Sequence, residues 1–78
     1  MAGRELVEYV AKTLVDNPAS VVVTEVHDAD GTVIELQVAE EDMGKVIGRN
    51  GSVAKALRTL LKVTAARDGG SASLEILS

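Results

Sequence analysis

Cysteine, tryptophan and phenylalanine are absent from this chain of 78 residues, and histidine, tyrosine and proline each occur once. The absence of cysteine excludes disulfides and thiolate metal ligands. It also agrees with a cytoplasmic protein, and we expect the chain to be cytoplasmic. No apolar run approaches the roughly 18 residues of a membrane span, and no signal-peptide pattern opens the chain. We expect a chain that is not an enzyme and binds no cofactor, because His27 beside Asp28 lacks the partner that a catalytic pair needs.

The basic residues are concentrated in one part of an acidic chain. The net charge is −4, yet the stretch from residue 43 to residue 67 contains six Lys or Arg side chains and no Asp or Glu. All twelve acidic residues lie outside that stretch, with only two basic ones. Such a separation of charge indicates a local positive surface of the kind that binds nucleic acid, although the solvated face of a helix is an equally good explanation.

Hydrophobic periodicity predicts a helix, two strands, two helices and a final strand. The residue before Pro18 disfavours helix and ends the first element. Ile34, Leu36 and Val38 alternate with other residues, as in a strand that buries one face. The predicted segments are Arg4–Asp16, Val21–His27, a turn at Asp28–Gly31, Thr32–Ala39, a short helix from Glu40, a longer helix from Ser52 to Ala66, a terminating turn at Asp68–Gly70, and Ser71–Leu77.

This order of elements predicts the fold class. It is an α+β arrangement of two layers, in which a three-stranded sheet is covered on one face by three helices and the other face is solvated. A chain of this length forms a single domain, so residues 1–78 are expected to make up one unit. Tyr9, the only aromatic residue, is expected to pack partly buried on the first helix.

The stretch Gly48-Arg49-Asn50-Gly51 joins the two central helices with almost no connecting residues. Glycines at both ends permit a sharp turn and close approach of another molecule. The longer helix begins at Ser52, and its N-terminus favours an anion. Together with the Arg49 cation, these features are those of a phosphate-binding loop. A tight helix–helix turn without a ligand explains the same pattern.

The sequence VIGRNG followed by SVAKALRTLL resembles the signature of the KH domain, an RNA-binding module. The order of elements is that of a type II KH domain, and the resemblance covers almost the whole chain. In detail the chain is similar to the KhpA family of small bacterial proteins with a single KH domain. The resemblance implies that the GxxG loop clamps about four nucleotides of single-stranded RNA.

The same resemblance implies an RNA chaperone or post-transcriptional regulator that acts in the cytoplasm. It implies pairing as a homodimer or as a heterodimer with a Jag-like KH protein (KhpB), and a link to cell envelope growth and cell shape. A broad apolar arc on the longer helix also favours a dimer. A second hypothesis is a protein-interaction module in which the GxxG stretch is only a structural turn.

The resemblance also assigns roles to residues. Gly48 and Gly51 would let the sugar–phosphate backbone come close, and Arg49 and Asn50 would contact phosphate oxygens. Helical spacing of about 100° per residue places three cations, at positions 55, 58 and 62, on one stripe of the longer helix. The strand from Ile34 to Val38 would line the base groove or the core beneath it. The candidate RNA-contacting residues are Lys45, Ile47, Gly48, Arg49, Asn50, Gly51, Ser52, Lys55 and Arg58.

Overall fold

The structure, a computed structural model, describes residues 2–67 and 69–77. Within them the six elements follow the predicted order: α1 (Gly3–Leu14), β1 (Val22–Asp28), β2 (Gly31–Gln37), α2 (Met43–Ile47), α3 (Ser52–Arg67) and β3 (Ala72–Leu77). Short 3₁₀ turns cover Pro18–Ser20, Glu40–Asp42 and Arg49–Gly51. The predicted α+β class is confirmed, and the order matches a type II KH fold. Asp68, part of the turn predicted to end the longer helix, lies outside the described residues.

The sheet has the order β1-β2-β3, so β2 is the central strand. β1 runs antiparallel to β2, and β3 runs parallel to β2. The predicted hairpin turn is confirmed, because Asp28 and Gly31 are paired across it. The backbone N–H of Asp30 donates to the Asp28 Oδ1 at 2.8 Å, which stabilises the turn locally.

One face of the sheet carries the core. The register places Val23 opposite Leu36 and Leu74 opposite Ile34, so these four buried side chains share one face. The helices cover that face with the buried residues Val7, Ala11, Val46, Ala54, Leu57 and Leu61. On the opposite face Val22 is 52% exposed and Val26 is 41% exposed. The predicted two-layer arrangement, with helices on one face only, is therefore confirmed.

The first helix ends two residues earlier than predicted, and a distant carboxylate explains why. α1 ends at Leu14, and Val15 is already extended. The backbone N–H groups of Asp16 and Asn17 donate to the two carboxylate oxygens of Asp42, at 3.2 and 3.0 Å. These bonds satisfy two backbone N–H groups that lie beyond the end of α1 and therefore have no partner within the helix. Asp42 is the one fully buried polar residue of the described chain, and it lies immediately before α2.

Candidate nucleic-acid interface

The GxxG loop uses a backbone conformation that few residues adopt. Gly48 has φ 77° and ψ 172°, Asn50 has φ 56°, and Gly51 has φ 75°. Asparagine tolerates the left-handed region better than most residues, which suits it to the third position of the loop. The backbone N–H of Gly48 donates to the Gly44 carbonyl at 2.9 Å, and that of Gly51 to the Gly48 carbonyl at 3.1 Å. The loop is thus a hydrogen-bonded turn with a defined shape.

The two loop glycines have different surroundings. A Cβ on Gly48 would lie 2.6 Å from the Val53 Cγ2 and 2.8 Å from the Val53 backbone nitrogen. Gly48 therefore allows the start of α3 to pack directly against the loop. A Cβ on Gly51 would meet only the Lys55 Cε, at 4.0 Å. The Gly51 side of the loop is therefore open, with the Lys55 side chain beside it. Sequence reasoning did not distinguish the two glycines: it gave both of them a sharp turn and the close approach of a ligand.

The cations predicted on the loop and on α3 form an exposed surface. Lys55, Arg58 and Lys62 on α3 are exposed, as the helical spacing predicted, and Arg49 in the loop is exposed as well. The ion pairs in the described part of the chain involve Lys12, His27 and Lys45, and none of these four cations. Their charges are therefore available to a ligand rather than neutralised within the fold.

Lys45 has a different environment from the other candidate cations. Its Nζ lies 3.2 Å from the Asp16 Oδ2 and 3.3 Å from the Asp42 Oδ1. The hydrogen bonds with Asp16 and then Asp42 raise the pKa of Lys45 above its ordinary value. These contacts tie α2 to the segment after α1 and partly neutralise the Lys45 charge. No local sequence signal identifies Asp16, which is 29 residues away along the chain.

Asp42 remains charged although it is buried. Burial raises the pKa of its carboxyl group, but the hydrogen bonds from the Asp16 and Asn17 amides and from Lys45 outweigh burial and lower that pKa overall. The carboxylate thus acts as a fixed anchor between α2, whose far end carries the GxxG loop, and the chain that follows α1. Sequence reasoning did not single out this residue, because its partners Asp16 and Asn17 are 26 and 25 residues away along the chain.

The apolar candidates divide between core and surface. Ile47 is 37% exposed beside the loop, and Val53 is half-buried. The sequence left open whether the strand from Ile34 to Val38 lines the base groove or the core beneath it. Its inward side chains are at most 7% exposed, so they belong to the core. The prediction for Tyr9 was wrong. This side chain is 67% exposed, because its position on α1 faces away from the sheet.

Comparison with known families identifies the chain. Residues 4–76 match the family described as KhpA/KhpB, KH domain. The chain belongs to this family. The match spans all six elements except the first residue of α1 and the last residue of β3, and it includes the GxxG loop and the basic stripe of α3.

Relatives in the KhpA/KhpB family align over nearly their full lengths. The RNA-binding protein KhpA of Caldanaerobacter subterraneus subsp. tengcongensis is 51% identical over 73 residues, which are 94% of this chain and 97% of that protein. The RNA-binding protein KhpA of Clostridium perfringens is 47% identical over 74 residues, which are 95% of this chain and 99% of that protein. Both are named as RNA-binding proteins, which agrees with the expectation that this chain is not an enzyme.

A solved structure shares the fold. A crystal structure of Aquifex aeolicus Era superimposes with a TM-score of 0.63 at 24% sequence identity, over 95% of this chain and 29% of the Era chain. At this level of identity the similarity concerns the fold alone.

In the described part of the chain, no helix has the length and apolar character needed to cross a membrane.

Proposed function

We propose that this chain binds single-stranded RNA and holds the RNA backbone at the loop from Gly48 to Gly51. The observation that carries the proposal is the combination of an open glycine with cations that have no ion-pair partner among residues 2–67 and 69–77. Gly51 has no side chain, Lys55 lies beside it, and Arg49 projects from the same loop. The relatives described above are named as RNA-binding proteins, which supports RNA as the ligand.

Each loop residue has a distinct role in this proposal. A phosphate group approaches the open Gly51 side, where the N-terminus of α3 favours a negative charge. Arg49 and Lys55 pair with phosphate oxygens, and Arg58 extends the contact by one turn. Asn50 and Ser52 supply neutral polar groups, and Ile47 an apolar surface for a base. Lys45 contributes less, because Asp16 and Asp42 already partly neutralise its charge.

A charge reversal in the loop tests this role. The double substitution Arg49→Asp with Asn50→Asp places carboxylates where phosphate is expected, and Asp retains the tolerance for the left-handed conformation at position 50. Both residues are exposed, so stability should change by less than about 1 kcal/mol. Binding of a labelled single-stranded RNA, followed by fluorescence anisotropy, should weaken at least about tenfold, because a single charge-assisted hydrogen bond is worth about 1.5–3 kcal/mol.

A charge-matched control separates a local effect from a general one. Arg49→Asp and Lys12→Asp change the net charge of the chain equally, and both positions are exposed. Only Arg49→Asp should weaken RNA binding strongly, since Lys12 lies on α1 and pairs with Glu8. If the folded double variant binds RNA as tightly as the parent, the loop is a structural turn. The alternative, a protein-interaction module, would then replace the proposal.

A dimer is part of the same proposal. Leu60 is 46% exposed and Val63 is 51% exposed, although both belong to the apolar arc of α3. At about 100° per residue Leu60 lies about 160° and Val63 about 100° from Lys62 around the axis of α3, so pairing through them would leave the basic stripe free. The partner is a second copy or a Jag/KhpB-like KH protein. Light scattering should show a homodimer at tens of micromolar, and Leu60→Glu should dissociate it. A parent that stays monomeric leaves only the heterodimer.

The cellular role follows from the family resemblance. We propose that the chain acts in the cytoplasm as an RNA chaperone or post-transcriptional regulator linked to cell envelope growth and cell shape. Crosslinking and sequencing of bound RNA in cells tests this role, with the double variant Arg49→Asp/Asn50→Asp as the control. Equal recovery of transcripts with the parent and the variant would contradict a role through the loop.

A further inference from the structure

The GxxG loop contains a pair of residues that can react with each other. Asn50 is followed directly by Gly51. The side-chain amide of an asparagine is attacked by the backbone nitrogen of the next residue, which forms a cyclic imide, and a glycine in the next position leaves this attack unobstructed. Asn50 is exposed, and a Cβ on Gly51 would meet only the Lys55 Cε, at 4.0 Å. The reacting groups are therefore open to solvent.

The backbone of Asn50 already has half of the geometry that the imide needs. Asn50 has φ 56° and ψ 27°. The imide ring fits the first central residue of a type II′ turn, where φ is about +60° and ψ is about −120°. Only a rotation of the peptide group between Asn50 and Gly51 therefore separates the loop from the reactive conformation. Gly51 accommodates this rotation, because glycine adopts φ of either sign.

One hydrogen bond opposes the rotation. The backbone N–H of Gly51 donates to the Gly48 carbonyl at 3.1 Å, so the attacking nitrogen is engaged in the resting loop. Rotation of the peptide group turns the N–H away from that carbonyl and frees the nitrogen. The net strength of one such bond lowers the reactive population only about two- to tenfold. The fold therefore slows the reaction without preventing it.

The positive surroundings of the loop favour the reaction. The Gly51 nitrogen attacks after it has lost its proton, and the tetrahedral intermediate carries its negative charge on the Asn50 side-chain oxygen. Lys55 lies beside Gly51, Arg49 precedes Asn50, and neither cation has an ion-pair partner among residues 2–67 and 69–77. The N-terminus of α3 also favours an anion. These positive groups stabilise the anionic intermediate as they would a phosphate.

The reaction releases ammonia and leaves a carboxyl group. A bond forms between the Gly51 nitrogen and the Asn50 Cγ, and the bond from Cγ to Nδ2 breaks, so that Nδ2 leaves as ammonia with the proton from Gly51. Water then adds to either carbonyl carbon of the imide and opens the ring. The products are aspartate and isoaspartate at position 50. Both are negatively charged, and isoaspartate also lengthens the backbone of the loop by one CH₂ group.

We propose that Asn50 is a site of spontaneous deamidation and that the carboxylate formed there weakens the grip of the loop on RNA. The effect on RNA rests on the proposed function, whereas the modification itself does not. A phosphate held against Gly51 restricts the rotation of the peptide group. Bound RNA therefore protects Asn50, and deamidation inactivates the copies of the chain that hold no RNA.

Peptide mapping tests the modification. The folded chain is kept at neutral pH for several days and then digested with trypsin, which cleaves after Arg49 and Lys55 and releases residues 50–55 as one peptide. Mass spectrometry detects the replacement of the amide by a carboxyl group, and a digest at time zero corrects for reaction during digestion. We expect progressive conversion of Asn50 in the folded chain.

The other asparagine of the chain is an internal control. Asn17 precedes Pro18, whose backbone nitrogen carries no hydrogen and cannot attack, so Asn17 should stay intact. A second sample in urea gives the conversion rate of Asn50 in the unfolded chain. An intact Asn50 in the folded chain would overturn the inference. So would a folded-state rate no higher than the urea rate multiplied by the unfolded fraction, because only unfolded copies would then react.

Fluorescence anisotropy with a labelled single-stranded RNA tests the consequence. Fresh Asn50→Asp should bind about fivefold more weakly than the fresh parent, the effect of one unit charge about 4 Å from a phosphate in water. The parent should approach this weaker affinity as Asn50 converts. Asn50→Gln, whose longer side chain closes the corresponding ring far more slowly, should keep the affinity of its own fresh sample.

Protection by RNA completes the test. At an RNA concentration about ten times Kd the conversion of Asn50 should slow about tenfold, because only the unbound fraction reacts. Equal conversion with and without RNA, or a converted parent that binds like the fresh one, would overturn the inference while the proposed function stands. If the fresh parent binds no RNA, the proposed function fails, and the mass measurement still decides whether Asn50 is modified.

Discussion

Replacing Gly48 with alanine tests how the loop is built. At φ 77° and ψ 172° the backbone of Gly48 lies in a region that is essentially restricted to glycine, and a side chain there costs about 1–3 kcal/mol. The added Cβ would also lie 2.6 Å from the Val53 Cγ2, 2.8 Å from the Val53 nitrogen and 2.9 Å from the Ser52 Oγ. Overpacking of this kind costs about 1–3 kcal/mol more. We expect Gly48→Ala to lower the free energy of unfolding by about 3 kcal/mol in total.

Two other glycines provide matched controls for the same substitution. A Cβ on Gly44, within α2, would meet nothing within 4 Å. Gly44→Ala should therefore stabilise the chain by about 0.5–1 kcal/mol, since alanine favours helix. Gly51 has φ 75° but open space around it, so Gly51→Ala should cost only the backbone strain of about 1–2 kcal/mol.

Urea unfolding followed by circular dichroism measures this series. For a domain of this size, about 3 kcal/mol corresponds to a fall in the melting temperature of about 12–24 °C. The m-value should stay constant, because all variants expose the same surface on unfolding. A loss below about 1 kcal/mol for Gly48→Ala, or equal losses for Gly48→Ala and Gly44→Ala, would refute the argument that the start of α3 packs against the glycine backbone.

Two further predictions concern charge. Because Lys45 is paired internally, about two or three cations should neutralise RNA phosphates, so log affinity should fall with log salt at a slope of about −1.4 to −2.1 in an anisotropy titration. A slope near zero would contradict the electrostatic contact. The lowered pKa of Asp42 lies below its ordinary value of 3.8, so the stabilisation from Asp42 is complete above that pH and is lost as the pH falls through the folded pKa. Asp42→Asn should therefore destabilise the chain at neutral pH and flatten its acid unfolding curve; an unchanged curve would contradict the anchor.

The amino-acid sequence by itself determined the elements and the surface that they present. In α1, β2 and α3 the apolar residues recur with the period of a helix or a strand. This spacing depends only on neighbouring residues in the sequence, and it sets which face each element can bury. The position of the GxxG loop between two helices and the basic stripe of α3 follow from the same local spacing. These features were therefore predictable together with the two-layer arrangement.

The tertiary structure decided the features that depend on partners distant in the chain. Asp42 accepts hydrogen bonds from backbone N–H groups 25 and 26 positions away, just beyond the end of α1, and its ion pair partly neutralises Lys45. Val53 makes Gly48 a packing position, whereas the space beside Gly51 stays open. The recess lined by Gln37, Val38, Glu40 and Met43 exists only because the end of β2 lies beside the start of α2. Contacts of this kind arise from the folding of separate segments onto one core, and neither periodicity nor residue propensity encodes them.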